Sequence, residues 1–270
     1  MRLVLVLALL ASCAGAEAMA MPTGPATPPP QGTGNAEVGL VPGETMAFEV
    51  KLAGITAGEA QLAVGDVTLV DGHRTIVVKS RAATAGAAAL LKKITDEATT
   101  TIDLETGRPL SLETRVEMGD RVSTAKARFV GNRADITWTR EKDDKSHTMR
   151  INFGGAVVND AHAAMAQLRG WKATPGTTKS VYVVGGRRLW RVDVKLAGEE
   201  TIGSVYGNRR AVRYEGAAFR ARNNLTVDAG KPQRTFTVWL SDDADRVPLK
   251  VVAATELGAI EIELTEYNRP

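Results

Sequence analysis

Thr45-Met46-Ala47-Phe48-Glu49-Val50-Lys51-Leu52 decides the fold class. Met46, Phe48, Val50 and Leu52 alternate with Ala47, Glu49, Lys51 and Ala53. A period of two builds a strand with one apolar face and one wet face. The same alternation returns at Trp190, Val192, Val194 and Leu196, at Phe236, Val238 and Leu240, and at Ile260, Ile262 and Leu264 against Glu261 and Glu263. Strands of parallel sheets, covered on both faces, would read as continuous apolar runs, so this pattern predicts antiparallel pairing. Turn signals punctuate it at short intervals: Val70-Asp71-Gly72, Glu105-Thr106-Gly107-Arg108-Pro109, Met118-Gly119-Asp120, Gly131-Asn132, Asp143-Asp144, Gly185-Gly186 and Gly198-Glu199.

The chain is therefore expected to be all-β and mainly antiparallel, with about sixteen strands. Two segments break the period. Ala83 to Lys93 is rich in Ala and Leu and ends in Lys92-Lys93, charges that suit a helix C-terminus. Asn159 to Arg169 opens on Asn-Asp, a good cap, puts Ala161, Met165 and Leu168 on one stripe, and stops before Gly170. Both are expected to be short helices that plug or cross the sheet. So many one-sided strands must bury their apolar faces against one another, which predicts a barrel-like or half-barrel-like body, with a sandwich as the other solution. Two similar β-halves are suggested by Pro42-Gly43-Glu44-Thr45 and Pro175-Gly176-Thr177-Thr178, and by Val50-Lys51-Leu52-Ala53-Gly54 and Val194-Lys195-Leu196-Ala197-Gly198.

The N-terminus carries an address. Arg2 precedes an uninterrupted apolar run from Leu3 to Ala11, and the chain's one cysteine, Cys13, follows Leu10-Ala11-Ser12. The run is shorter than the ~20 residues a membrane-spanning helix needs and suits a secretory signal. Leu-Ala-Ser-Cys resembles the lipobox of bacterial lipoproteins, which implies cleavage before Cys13 and acylation of that residue. Residues 1–12 are then a signal peptide, and the protein is exported and anchored at the outer membrane, facing the periplasm. Cleavage after Ala18 or Ala20 is the alternative and would leave a soluble periplasmic protein. From Cys13 to Pro42 the chain is rich in Ala, Pro, Gly and Thr, with Pro28-Pro29-Pro30 at its centre. Proline removes backbone donors and glycine raises chain entropy, so 13–42 reads as a disordered linker and 43–270 as a single β-rich domain. With one cysteine, that domain has no internal disulfide and must be held by its core.

Gly43-Glu44, Phe48 and Gly54-Ile55-Thr56-Ala57-Gly58 near the start, and Val238-Trp239-Leu240-Ser241-Asp242-Asp243 with Arg246, Pro248 and Gly258 near the end, resemble a bacterial envelope family catalogued as domain of unknown function 3108. The helix near Asn159 followed by Pro175-Gly176 fits between them. The resemblance covers about Gly43 to Tyr267 and implies an exported, β-rich protein. It implies no activity and offers no catalytic residues.

Motifs of chemistry are scarce. There is no Gly-x-Ser-x-Gly, no phosphate-cradling loop before a helix and no His-Glu-x-x-His. His73, His147 and His162 stand far apart, and Asp242, Asp243 and Asp245 lack the glycine bend of a calcium loop. No catalytic residue, metal site or cofactor is expected. The net charge is only +3, but Arg187, Arg188, Arg209, Arg210, Arg213, Arg220 and Arg222 crowd one region. Arginine matches phosphate with a planar fork, so these seven are candidates for contact with an anionic surface. Nucleic acid is not an expected partner in this compartment. The reading that results is a non-enzymatic envelope lipoprotein. It meets the membrane through its N-terminal lipid, and its β-domain binds an apolar ligand, lipid or lipopolysaccharide-like, or another envelope component. A scaffold for unidentified protein partners is the first alternative. An envelope glycan hydrolase built on paired carboxylates is the second.

Overall fold

The computed structural model describes residues 38–140, 145–230, 233–255 and 258–270. Cys13, the segment read as a signal, most of the segment read as a linker and the expected Asp143-Asp144 turn lie outside the described residues. The first run of strands is β1 (Thr45–Leu52), β2 (Ile55–Val64), β3 (Thr68–Val70), β4 (His73–Thr84), β5 (Ile94–Asp103), β6 (Pro109–Met118), β7 (Arg121–Val130), β8 (Arg133–Arg140) and β9 (Lys145–Asn152), with α1 (Gly86–Leu91) between β4 and β5. Then come β10 (Val158–Asp160), α2 (Ala161–Gly170), β11 (Thr178–Gly185), β12 (Arg188–Ser204), β13 (Gly207–Ala221), β14 (Arg234–Ser241), β15 (Pro248–Thr255) and β16 (Gly258–Asn268).

All sixteen described strands belong to one sheet, as expected from the alternation. Its order is β10-β11-β12-β13-β14-β15-β16-β1-β2-β4-β5-β6-β7-β8-β9, with β3 beside β4. Each run is a meander, and the two join where β1 pairs antiparallel with β16. Only β10 and β11 pair in parallel among the described ladders. Both copies of Val-Lys-Leu-Ala-Gly coincide with register shifts, at Val50/Lys51 and at Leu196/Gly198. Such bulges sharpen the local bend of a strand.

The sheet curls without a ladder between its ends. Instead, side chains of the two ends meet. Leu112 of β6, Ile136 of β8 and Ile151 of β9 pack with Val158 of β10, Tyr182 and Val184 of β11 and Leu189 of β12. Strand β11 is buried on both faces, because Val183 turns to the main core while Tyr182 and Val184 turn to this second one. The architecture is thus half-barrel-like, closed by packing rather than by hydrogen bonds. The main core joins Met46, Phe48 and Val50 to Ile260, Ile262, Val251, Val238, Leu240 and Tyr214. The convex face is wet. Lys51 lies 3.2 Å from Glu49 and 2.6 Å from Glu263, and Lys250 lies 2.8 Å from both Glu261 and Glu263. A lipid-facing barrel wall would carry apolar side chains at these outward positions.

Of the two described helices, only α2 enters the curve. Helix α2 starts from Asp160, whose Oδ1 accepts from the Ala163 backbone N–H at 2.9 Å, a cap of about 1 kcal/mol. Ala163 and Ala166 pack on Val64, Ile76, Val78 and Ile102, while Ala164, Met165 and Leu168 face the main core. The expectation that both helices plug the sheet fails for α1. It spans six residues and buries none, and Leu90 and Leu91 stand 90% exposed. A stretch rich in alanine and leucine does not reveal whether its apolar face has anything to pack on.

The linker also ends earlier than composition suggests. Val38 and Leu40 pack beside α2, and the Gly39 N–H donates to the Ala166 carbonyl at 2.9 Å. A Cβ on Gly39 would come within 2.5 Å of the Arg169 Cβ, so this approach needs glycine. Next to it, Arg169 Nη1 donates to Glu44 Oε1 at 2.5 Å and Nη2 donates to Glu44 Oε2 at 2.9 Å. Both side chains are buried, at 2% and 0% exposure. Arg169 Nε and Nη2 also donate to the Asp245 carbonyl, at 3.2 and 2.8 Å, and Tyr267 Oη donates to Glu44 Oε2 at 3.3 Å. The entry turn, the end of α2, the β14–β15 loop and the last strand therefore meet at one ion pair.

Removing one partner of a buried pair leaves an uncompensated charge and costs about 3–5 kcal/mol. Arg169→Met is expected to lose that much in urea unfolding, and the Glu44→Leu/Arg169→Met double variant to lose clearly less. Equal losses in the two would show that the pair's charges are not what holds this corner.

Candidate ligand-binding site

The space left inside the curve is divided by α2. On the side facing β1, β2 and β4–β8 lies a cavity of ≈ 160 Å³ whose walls include Phe48, Val78, Leu112, Val116, Met165 and Ile262. On the other side, against β11–β14, lies a second space of ≈ 50 Å³ with Leu168, Val183, Val192 and Phe236 in its walls. Met165 borders both. The lining follows from the alternation: most inward positions of the strands deliver an aliphatic or aromatic group, and α2 delivers small residues and a flexible methionine.

Polar groups interrupt this apolar wall, among them Ser80, Asp96, Asp160 and His162. Asp160 and His162 of α2 meet Thr100 of β5 and Ser80 of β4. Thr100 Oγ1 donates a short hydrogen bond to Asp160 Oδ2. Its lone pair then accepts from His162 Nδ1–H at 2.7 Å, which leaves Nε2 to accept from Ser80 Oγ at 2.9 Å. Burial, opposed by the neighbouring imidazole, pushes the Asp160 carboxyl up, and burial, opposed by Asp160, pushes His162 down. The order Ser-His-Thr-Asp has the polarity of an acyl-transfer relay. Oxyanion stabilisation needs backbone donors aimed at the reacting carbonyl. Ser80, however, sits in mid-strand and is in register with Leu62 on one side and Ala98 on the other, so the surrounding amides serve the ladders. What the quartet does is pin the first turn of α2 to the sheet.

One end of the larger cavity is cationic. The β11–β12 hairpin turns at Gly185-Gly186-Arg187 and reaches towards β6, where Thr114 Oγ1 lies 4.0 Å from the site a Cβ on Gly186 would fill. Trp138 of β8 is stacked on His147 with ring centroids 4.1 Å apart. Arg187 and Arg140 lie over the Trp138 ring, at 4.9 and 5.4 Å, and all three residues line the cavity with Arg188. On the neighbouring strands Arg220 and Arg234 lie over Trp190, at 5.6 and 4.9 Å. Burial first, then the charge of Arg187 and, more weakly, of Arg234, pull the Arg220 guanidinium below its ordinary value, while Asp228 opposes them.

The seven arginines expected to act together are divided between two places. Arg187, Arg188, Arg220 and Arg222 are at this end, with Arg222 held 3.4 Å from Asp228. Arg209, Arg210 and Arg213 lie on the outer part of the β12–β13 hairpin. There Arg210 is 2.7 Å from Glu199 and 3.2 Å from Asp242, and Arg213 is 3.3 Å from Glu215. Ten residues along one strand span about 33 Å, so crowding in sequence does not make one surface. Arg140, Arg234 and Trp138 were not singled out by sequence, and Trp190 only as an apolar position of an alternating strand. The Ile136-x-Trp138 alternation was the available signal for one of them.

The remaining candidates sort by partner. His73, Asp103 and Glu105 place one ligand atom each within 4.8 Å of one another, yet Asp103 Oδ1 already accepts from the Glu105 and Thr106 N–H groups, at 2.7 and 3.3 Å. In the acidic loop Asp243 Oδ1 accepts from Ser241 Oγ and from the Asp245 and Arg246 N–H groups. Asp245 Oδ2 is held by Arg269 at 3.1 Å and Tyr267 Oη at 3.3 Å.

Because His162 is held below its unfolded value of 6.5, acidification loads a proton on the unfolded chain before the folded one. Stability is expected to fall as pH drops through 6.5 towards the folded value, and His162→Gln is expected to flatten that slope between pH 7.5 and 5.5 in urea titrations. Asp160, shifted the other way, contributes with opposite sign above its unfolded value of 3.8, where its protonation favours the folded state. An unchanged slope in His162→Gln would show that another group carries the dependence.

Comparison with solved structures agrees with the architecture. A β-barrel-like protein of the family DUF1849 from Brucella abortus superposes with a TM-score of 0.56 at 9% identity, over 85% of this chain and 98% of that one. The Mycobacterium tuberculosis lipoprotein LppX covers 84% of this chain and 87% of its own at 14% identity, with a TM-score of 0.25 that bears on neither fold nor function. No curated protein matches. Residues 47–265 match the family described as a protein of unknown function, DUF3108, and with most of its length in that match the chain belongs to this family.

Proposed function

We propose that this protein is a lipid-anchored envelope protein, tethered through Cys13 at the outer membrane, whose β-domain shelters the apolar part of an amphiphile. The observation that carries the reading is the ≈ 160 Å³ apolar cavity inside the sheet. An apolar space of about 150 Å³ stays dry and takes up a benzene-sized guest, so this one accommodates about six carbons of a chain. Burial of each methylene contributes about 0.8 kcal/mol, enough for selective uptake from water. Ser80, Asp160 and His162 sit in the wall with hydrogen bonds already met within the quartet. Met165 stands between the two spaces and, being unbranched, can swing aside for a longer chain.

Native mass spectrometry tests the reading on the exported protein carrying Cys13→Ser, purified without detergent. A mass adduct of an envelope amphiphile, or uptake of added octanol, is the expected result. A protein that stays apo at saturating octanol would count against it and favour the scaffold reading. Met165→Ala is expected to merge the two spaces. The preferred length in a series of straight-chain alcohols should then shift upward by two or more carbons; an unmoved optimum would show that Met165 is no partition.

A further inference from the structure

At one end of the sheet the turns gather around α1. The Ala85 N–H, just before the helix, donates to the Ala57 carbonyl of β2 at 3.1 Å, and Thr84 Oγ1 donates to the Lys92 carbonyl just after it at 3.0 Å. The Gly119 N–H of the β6–β7 turn donates to the Lys93 carbonyl at 3.0 Å, and the Ala53 N–H of the β1–β2 turn donates to the Ala259 carbonyl of β16 at 2.9 Å. These bonds hold the backbone on both sides of the helix, while the helix itself buries no residue. At its tip Leu90 and Leu91 are 90% exposed, and Ile55, beside the β1–β2 turn at the same end, is 71% exposed. Lys92 and Lys93 follow directly and are exposed, and their ammonium groups have no partner among the described residues. Arg121 in the adjoining turn is offset in charge by Asp120, so the two lysines set the local sign.

Single apolar residues scattered over a surface need no explanation; two adjacent leucines held out from the fold do. Protein interfaces favour aromatic residues and arginine and disfavour lysine. This tip has no aromatic residue, and its free charge is lysine. A bilayer containing anionic lipid matches both halves of it. Aliphatic side chains sink below the headgroups while adjacent lysines stay among the phosphates. We propose that the α1 corner is a membrane-docking site, in which Leu90 and Leu91 enter an anionic bilayer and Lys92 and Lys93 meet its headgroups. The inference does not rest on the carrier reading. It does place the bilayer near the cavity: the paired row Ala82, Asp96, Val116, Ser123 and Arg140, of which the last four line the larger cavity, lies two residues from the Thr84 end of β4. The chain enters the domain at the other end, beside Arg169. Residues 14–37 span at most about 80 Å, against about 33 Å for a ten-residue strand, so an anchor at Cys13 lets this corner reach the same bilayer.

Vesicle flotation tests the assignment, with the soluble periplasmic form of the exported chain carrying Cys13→Ser. The vesicles are phosphatidylcholine alone and phosphatidylcholine mixed with phosphatidylglycerol. The protein is expected to float with the mixed vesicles, weakly or not at all with phosphatidylcholine, and less as salt is raised. Leu90→Ser/Leu91→Ser and Lys92→Gln/Lys93→Gln should each lower partitioning onto the mixed vesicles at least about tenfold. Their unfolding midpoints should stay at that of the parent, because α1 buries nothing. Leu69, 74% exposed beside the start of β4 at the opposite end, is the control, and Leu69→Ser should change nothing. A parent chain that stays at the bottom of the gradient with both vesicles would overturn the docking site. Flotation that survives in the leucine double variant would overturn it too, assigning membrane contact to another part of the protein. Self-association of the parent, abolished by Leu90→Ser/Leu91→Ser and indifferent to vesicles, would replace the bilayer by a second copy of the chain.

Discussion

Glu44 and Arg169 meet in a bidentate ion pair from which water is excluded, and the interior is arranged around it. An ion pair in such a place must have every donor and acceptor engaged, because each unmet group costs more than the pair gains. That requirement recruits the Val41 N–H, the Asp245 carbonyl and the Tyr267 hydroxyl, and with them the first turn, the β14–β15 loop and the final strand. The arginine is the next-to-last residue of α2. Pinning it fixes where the helix ends inside the sheet and, with Gly39 against it, where the chain enters the domain.

The other end of α2 is pinned by different means. Asp160, Thr100, His162 and Ser80 form a closed chain of hydrogen bonds between helix and sheet. Between its two polar anchors the helix shows the sheet alanines, a methionine, a leucine and Gln167, whose side-chain amide donates to the Gly107 carbonyl at 2.7 Å. A helix held at its ends and narrow in its middle cannot fill the curve it occupies, and the cavities on either side follow from that mismatch. Larger residues at Ala163 or Ala166 would fill space; the small ones bring the backbone close to one wall and leave the other open.

The strands and their direction were legible from Met46 to Leu264, because burial of one face per strand writes a period of two into the chain. The cap at Asp160 and the helix behind it were legible for a similar reason. Glu44 and Arg169 were not, since a glutamate after Pro-Gly reads as a solvated turn and an arginine near a helix end reads as a macrodipole partner. Their association joins positions 125 residues apart, and no local pattern records it. The seven arginines show the same limit from the other side: Arg209 and Arg220 lie towards opposite ends of the one strand β13, and the hairpin returns Arg220 to the start of β12, while Arg140 and Arg234, distant from each other in sequence, are brought to the same end.

Alternation and turn residues determined by themselves an all-β, mainly antiparallel chain with one capped helix, because each is a local signal read by local chemistry. Tertiary structure decided how the sheet closes, which helix lies inside it, what the helix leaves empty and which cations face that space. Those depend on how distant strands curl towards one another, a property of packing between faces that no single stretch of sequence contains.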